Sequence, residues 1–297
     1  MSIRLEMLQI ARVAPKALGD STTLVREFLL KQQHEDGGFR DRAGRSDLYY
    51  TVFGLDGLLA LQAELPARKV ADYLGGFRGG DGLDFVHLCC LARCWAALGD
   101  GARLSLPADW RTEIASRVQE FRSADGGFSP VRQGAKATAY GCFLAIAAHQ
   151  DLQAPLPDAL EVVRALKFLE TPDGAWANER GLKLGATNAT AAAATLLRHL
   201  SMPVDARVGR WLRARCHPQG GFLAASGAPM PDLLSTATAL HALAGMQVAI
   251  DDIREACLDF VDTLWTNEGG FFGHWGEETL DCEYTYYGLL ALGHLSI

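Results

Sequence analysis

One short phrase repeats along this chain and constrains its fold more than any other feature. It reads DGGF at 36–39 and 125–128, DGAW at 173–176, QGGF at 219–222 and EGGF at 268–271. From the second copy onward the first glycines are Gly126, Gly174, Gly220 and Gly269, at intervals of 48, 46 and 49 residues. A weaker copy, LGGFRGGDGLDF at 74–85, fills the longer gap after the first copy. A period sustained along a chain is typical of a repeat architecture.

Each repeat predicts two helices of different character. Before the glycine phrase, charged and apolar residues recur with a helical period, as expected for an outer helix with one face in water. After the phrase come a loop and a helix that is apolar on nearly all sides, which predicts a buried inner helix. The inner helices are predicted at 47–63, 84–98, 135–149, 187–200, 232–246 and 281–295. Because glycine has no Cβ, the phrase suits the sharp turn between the two helices.

Six outer and six inner helices in alternation predict an all-α fold, an (α/α)6 toroid in which the helices form a double ring. We expect a single domain over 1–297, built from six helix-turn-helix repeats of about 48 residues. The repeats are expected near 15–63, 64–99, 108–150, 158–200, 204–247 and 251–297.

Composition limits the classes of function. The net charge is −7 and there is no run of Lys or Arg, so the sequence lacks the basic surface typical of nucleic-acid binding. No stretch of about 18 uncharged apolar residues occurs, and the first residues do not resemble a signal peptide. Seven cysteines without a CxxC pair are typical of reduced thiols. We therefore expect a cytoplasmic protein that neither binds nucleic acid nor spans a membrane.

Four of the predicted inner helices begin with an aspartate: Asp47, Asp84, Asp232 and Asp281. Aspartate is a favoured N-cap residue, which explains each of them without any further function. All six inner helices follow the same kind of connection, so we expect them to run in one direction with their N-termini around one mouth of the central cavity. Because helix N-termini favour anions, this mouth is also a candidate site for a diphosphate.

The phrase QxxDGGF at 33–39, its copies and the apolar helices that follow resemble the β subunits of protein prenyltransferases and, more distantly, squalene and hopene cyclases. The resemblance covers nearly the whole chain. It implies an α-α toroid whose funnel holds an isoprenoid chain against aromatic walls. In the prenyltransferase β subunits a zinc ion activates a cysteine thiolate, which attacks a prenyl diphosphate while basic residues hold the leaving group.

The zinc ligands that the resemblance implies are only partly present. The family's Asp-x-Cys corresponds to MPDLLSTAT, which keeps Asp232 but has Leu234 in the cysteine position, and the family's histidine corresponds to Tyr284. LAASGAPMP at 223–231 contains no Lys or Arg, although the family binds the diphosphate there. Leucine does not coordinate zinc, so the zinc ligand set is incomplete. Together with the absence of Lys and Arg at 223–231, this means that the usual zinc and diphosphate residues are largely lost. Asp232 and Tyr284 therefore stay as the candidate catalytic residues.

Two relocated zinc sites are compatible with the sequence. Asp281, Cys282 and Glu283 begin the last inner helix, with His274 in the preceding loop. Asp84 and His87 are one helical turn apart, with Cys90 three residues further on. Packing explains these residues equally well, as helix caps, a buried histidine and a small apolar thiol. Zinc is thus a candidate cofactor with an incomplete ligand set.

Aromatic residues on the inner helices predict the lining of the cavity. The candidates for substrate contact are Tyr50, Phe53, Trp95, Tyr140, Phe143 and Tyr287, with Trp275 in the loop before the last helix. Units four and five carry small residues instead, so we expect an apolar slot between an aromatic wall and a wall of small residues. Core packing is the simpler role of any one of these aromatic residues.

Three functions are compatible with the sequence. The first is a divergent prenyltransferase or terpene-processing enzyme that uses an isoprenoid diphosphate. The second is a protein that binds an isoprenoid or another lipid without chemistry. The third is an interaction scaffold that contacts a helical protein partner, or a second copy of itself, through its outer ring. The sequence does not decide between catalysis and binding.

Overall fold

The computed structural model describes residues 1–102 and 107–297, and the described chain is mostly helical. Its helices are α1 (Ile3–Ala11), α2 (Pro15–Leu18), α3 (Thr22–Lys31), α4 (Leu48–Ala60), α5 (Ala67–Gly75), α6 (Phe85–Ala102), α7 (Trp110–Gln119), α8 (Ala139–Asp151), α9 (Ala159–Lys167), α10 (Thr187–His199), α11 (Ala206–Arg213), α12 (Leu233–Gly245), α13 (Asp251–Thr263) and α14 (Cys282–Leu295), with a 3-10 turn at Gly19–Ser21. Two antiparallel hairpins pair β1 (Phe39–Arg40) with β2 (Ser46–Asp47) and β3 (Phe222–Leu223) with β4 (Pro231–Asp232).

The inner helices form a closed ring. Helix α4 packs against α6, α6 against α8, α8 against α10, α10 against α12, α12 against α14, and α14 returns to α4. Helices α3, α5, α7, α9, α11 and α13 pack around the outside of this ring. The prediction of an all-α (α/α)6 toroid is therefore confirmed.

The repeated glycine phrase forms a tight turn between outer and inner helix. A Cβ atom on Gly220 would lie 1.8 Å from the backbone oxygen of Ala256 in α13, and one on Gly269 would lie 2.2 Å from the backbone oxygen of Leu24 in α3. Both glycines have positive φ angles, 85° and 92°, which other residues rarely adopt. The turn thus packs against the next outer helix, and Gly269 joins the last unit to the first.

A threonine near the start of four inner helices holds each turn in place. The hydroxyls of these threonines accept the backbone N–H of the aromatic residue in the turn, at 2.9, 3.1, 2.9 and 3.4 Å for Thr51, Thr190, Thr236 and Thr285. The turn aromatics Phe39, Trp176, Phe222 and Phe271 are buried between the rings. This hydrogen bond fixes the rotation of these four helices, with the threonine facing the outer ring.

Helix α1 precedes the first repeat and closes one end of the ring. Arg4 donates to Asp151 at the end of α8 at 3.2 Å, and Glu6 bonds His199 at the end of α10 at 2.9 Å. Helix α1 also packs against α4 and α14. Since the C-terminal ends of inner helices meet at α1, their N-termini surround the opposite end, which we call the mouth.

The sequence predicts reduced cysteines and no segment that spans a membrane. All seven cysteines are free thiols, and six of them are buried. No described helix combines the length with the apolar character that a bilayer span requires.

Candidate functional site

A cavity of about 460 Å³ lies inside the inner ring. All six inner helices contribute to its wall, and Met7 of α1 lies at its floor. Val86 and Leu234, which belong to the first turns of α6 and α12, line it near the mouth. Tyr140 on the wall is 42% exposed, so water reaches the interior. The cavity is therefore a well that opens at the mouth and ends at α1.

The two sides of the well differ in side-chain size. On one side the rings of Tyr49 and Phe53 pack edge to face with centroids 5.0 Å apart, and Phe53 lies 5.4 Å from Tyr287. On another side α10 contributes Ala189, Ala191 and Ala192. Apolar walls of unequal bulk leave a slot-shaped space for a flexible chain.

Four of the aromatic candidates from the sequence lie on the wall of this well: Phe53, Tyr140, Phe143 and Tyr287. The other three are placed elsewhere, which corrects the prediction for them. Trp95 is 1% exposed and packs against α7, between the rings. Trp275 donates its indole N–H to Thr263 of α13 at 2.9 Å. Tyr50 lies at the mouth beside Arg42 and is not part of the cavity wall.

The sequence analysis did not single out two polar residues of the wall, Arg93 and His241. Their distance from the start of each helix is a signal that can be seen in the sequence. Each is the ninth residue after the aspartate at the start of its helix, Asp84 and Asp232. Thr195, the ninth residue after the N-cap of α10, also lines the well. In α4 the same position is Asp56, which pairs with Arg93 and is not part of the cavity wall, so the signal applies to α6, α10 and α12.

Four charged side chains pair inside the ring next to α1. The Nε of Arg93 donates to one oxygen of Asp56 at 2.8 Å, and its Nη2 lies 2.6 Å from the same oxygen. Arg4 bonds Asp151 at 3.2 Å and lies 3.7 Å from Asp56. Burial raises the pKa of Asp151 to about 6 although both guanidinium groups oppose this effect. Because buried charges require partners, this cluster fastens α1 to the ring.

Carboxylates surround the mouth. Aspartate side chains accept backbone N–H groups in the first turns of four inner helices: Asp47, Asp84, Asp232 and Asp281. The N-cap interpretation thus holds for all four. Arg42 bonds both Asp281 and Glu277, each at 2.9 Å. The helix caps thus occupy these N–H groups and add negative charge to this part of the mouth.

The residues at the family's zinc position do not form a ligand set. Both carboxylate oxygens of Asp232 contact Ser235, each at 2.7 Å. Leu234 lines the well, and the ring of Tyr284 lies beneath the Arg42 guanidinium at 5.3 Å. Burial raises the pKa values of Asp232 and Tyr284. The structure thus gives Asp232 a capping role and places Tyr284 beside Arg42.

The two relocated zinc candidates are also engaged in other contacts. His87 uses one ring nitrogen for Asp84 at 2.8 Å and the other for Asp47 at 3.0 Å. Cys282 is buried, which raises the pKa of its thiol well above the ordinary value, and Asp281 is paired with Arg42. Within residues 1–102 and 107–297, no three His, Cys, Asp or Glu side chains are grouped to hold a metal ion.

One carboxyl near the well ionises close to neutral pH. Burial raises the pKa of Glu283 to about 7. The hydroxyl of Tyr49, a wall residue, donates to Glu283 at 2.6 Å. The hydrogen bond from Tyr49 thus connects Glu283 to the wall of the well. From the sequence, Glu283 is named only as a possible metal ligand beside Asp281 and Cys282, and the raised pKa and the contact with Tyr49 were not predicted.

The closed ring of inner helices, the outer helices around it and the central well define an α-α toroid. The family model of the prenyltransferase alpha-alpha toroid domain matches the chain over residues 5–75, 68–215 and 190–296. The protein belongs to this family, which confirms the resemblance seen in the sequence. No curated protein sequence matches the chain.

Several solved structures share the fold. The type II terpene cyclase MstE from Scytonema, in complex with geranylgeranyl dihydroxybenzoate, is 13% identical with a TM-score of 0.60, over 95% of this chain and 97% of that chain. A protein from Actinoplanes is 16% identical with a TM-score of 0.61, over 94% and 99%. Candida albicans protein geranylgeranyltransferase-I complexed with GGPP is 15% identical with a TM-score of 0.59, over 98% and 82%. At these identities the likeness establishes the fold alone.

Proposed function

We propose that the protein binds an isoprenoid or terpenoid molecule in the well of the inner ring. The observation that carries this proposal is the closed-ended cavity of about 460 Å³ between an aromatic wall and a wall of alanines. Ligand pockets have volumes of about 300–1,000 Å³ and mostly apolar walls. Two proteins of the same fold hold geranylgeranyl compounds, geranylgeranyl dihydroxybenzoate in one and GGPP in the other.

The proposed ligand carries no diphosphate. The usual basic residues are lost from 223–231, and Arg42 at the mouth is paired with Asp281 and Glu277. The carboxylate caps of the neighbouring helices would repel a diphosphate. Leu234, where the resemblance would place a thiolate, does not fit zinc either.

Glu283 favours a second candidate function, an enzyme that transfers a proton to or from a bound terpenoid. A carboxyl whose pKa is raised to about 7 both donates and accepts a proton near neutral pH. Incubation of the protein with geranylgeraniol, followed by gas chromatography and mass spectrometry, tests this role. Wild type should give a product that Glu283→Gln does not give, and an unchanged substrate would rule out turnover of this compound.

A binding experiment tests the main proposal. In Ala192→Phe a phenyl ring would occupy the well, because Ala192 lies on its wall. Ala244→Phe, at an exposed position of α12, is the matched control. We expect wild type and Ala244→Phe to bind farnesol and geranylgeraniol in isothermal titration calorimetry, and Ala192→Phe to bind them at least about tenfold more weakly. Equal binding by both variants, or no binding by wild type, would contradict the proposal.

A helical protein partner and a homodimer stay predictions from the sequence resemblance. The structural likeness to known toroids adds no support for either of them.

A further inference from the structure

The wall of the well contains a guanidinium whose donors are only partly used. Arg93 directs Nε and Nη2 to a single oxygen of Asp56. None of the described residues accepts a hydrogen bond from its Nη1. The side chain is 18% exposed although it lies inside the ring, and it lines both the well and an adjoining pocket of about 40 Å³. Its exposed atoms therefore face the cavity.

Tyrosine hydroxyls add further donors near Arg93. Tyr140 and Tyr287 lie on the wall, and within the described part of the chain their hydroxyls have no hydrogen-bond partner. The hydroxyl of Tyr286 is buried beside Arg93, close enough for its oxygen to accept from the guanidinium. Arginine has five N–H donors and no acceptor, and each tyrosine hydroxyl accepts as well as donating one proton. This part of the wall thus offers more donors than acceptors.

An excess of donors in an apolar cavity is unfavourable unless an acceptor is bound. Leaving a buried donor without a partner costs about 1–3 kcal/mol. A hydrocarbon chain would leave these groups unpaired, whereas a carbonyl or carboxylate oxygen would accept from several of them at once. At the mouth the guanidinium of Arg42 is already paired with Asp281 and Glu277, and the aspartates and Glu283 present mainly acceptors.

We propose that Arg93, Tyr140 and Tyr287 form a subsite for the carbonyl or carboxylate oxygen of an oxygenated isoprenoid. The ligand places its oxygenated group against α6, α8 and α14 and its hydrocarbon chain along the alanines of α10. This inference rests on the proposed function, since it names the class of isoprenoid that the same well selects.

Three ligands of equal chain length test the subsite: farnesoic acid, its methyl ester and the hydrocarbon farnesene. Equilibrium dialysis with quantification by gas chromatography measures their binding to the full chain. Wild type should bind the acid and the ester at least about tenfold more tightly than farnesene. The double variant Tyr140→Phe/Tyr287→Phe should lose about tenfold in affinity for the acid and the ester and bind farnesene as wild type does.

Variants that keep the fold make the result decisive. Arg93→Met would leave Asp56 buried and unpaired, so Arg93→Lys is used, which keeps the ion pair but loses the planar fork of donors. Arg93→Lys should also weaken binding of the acid and the ester selectively. Tyr73→Phe, on the outer helix α5, is the matched control and should bind all three ligands as wild type does.

The outcomes separate the two proposals. Equal affinity of wild type for the acid, the ester and farnesene would overturn the subsite and leave the proposed function standing. An equal loss for all three ligands in the double variant would likewise overturn it, because the hydroxyls would then act through packing. If wild type binds none of the three ligands, nor farnesol and geranylgeraniol, the proposed function itself fails.

Discussion

Replacing Glu283 with glutamine tests whether burial controls the ionisation of this carboxyl. Burial raises its pKa from the ordinary 4.5 to about 7. Between these two values the folded protein holds a proton that the unfolded protein releases. The contribution of Glu283 to stability is therefore greatest below pH 4.5 and falls as the pH rises towards 7. Glutamine still accepts from the Tyr49 hydroxyl but is neutral at every pH.

The size of the effect on stability is set by the difference between the ordinary pKa of Glu283, 4.5, and its pKa in the folded protein, about 7. At about 1.4 kcal/mol per pKa unit, this difference corresponds to about 3 kcal/mol of unfolding free energy. We expect Glu283→Gln and wild type to have equal free energies of unfolding near pH 4.5. Above pH 7 the free energy of unfolding of the variant should be higher by up to about 3 kcal/mol. Urea unfolding of both proteins at about pH 4.5, 5.5, 6.5 and 7.5 measures this difference.

The control and the refuting results are specific. Glu255→Gln, at an exposed position of α13, should differ from wild type by the same small amount at every pH. A pH-independent difference for Glu283→Gln would refute the burial argument. A variant that becomes less stable than wild type as the pH rises would show instead that the nearby Arg42 stabilises the ionised carboxylate.

Two further predictions concern the repeat. Gly220→Ala would bring a Cβ to 1.8 Å from the Ala256 oxygen, and we expect a loss of at least about 3 kcal/mol in urea unfolding. The control is Gly227→Ala, because Gly227 has a φ of 81° but open space around its Cβ position. This variant should lose only about 1–2 kcal/mol of stability. Equal losses of stability in Gly220→Ala and Gly227→Ala would contradict the packing argument. Thr236→Val removes the acceptor of the turn N–H and should cost about 1–3 kcal/mol, whereas the exposed Thr23→Val should cost little.

The ring was predictable from sequence because its determinants are local and recur. Gly37, Gly220 and Gly269 pass close to the backbone of the next outer helix, so the same residue is required in several units. The aspartate caps at helix starts follow from the same logic, since a buried helix end needs an acceptor for its first N–H groups.

The lining of the well was harder to predict because it depends on helical rotation. The inner helices are apolar on nearly all sides, so composition does not distinguish Trp95, which faces α7, from Arg93 on the same helix, which faces the well. In four of the inner helices the rotation follows from a hydrogen bond such as that between Thr51 and the turn, whereas α6 has Leu88 at the corresponding position. That bond joins residues 12 positions apart, Phe39 and Thr51, and was visible only in three dimensions.

Helix α1 decides that the central space is a well and not a channel. It lies outside the repeats, so the sequence period carries no information on it. Arg4 pairs with Asp151, and Glu6 bonds Arg198 and His199. Although burial opposes ionisation, these two hydrogen bonds lower the pKa of Glu6 to about 2. Because charged contacts hold the helix on both α8 and α10, the floor has a fixed depth, and that depth limits the length of chain that the well can hold.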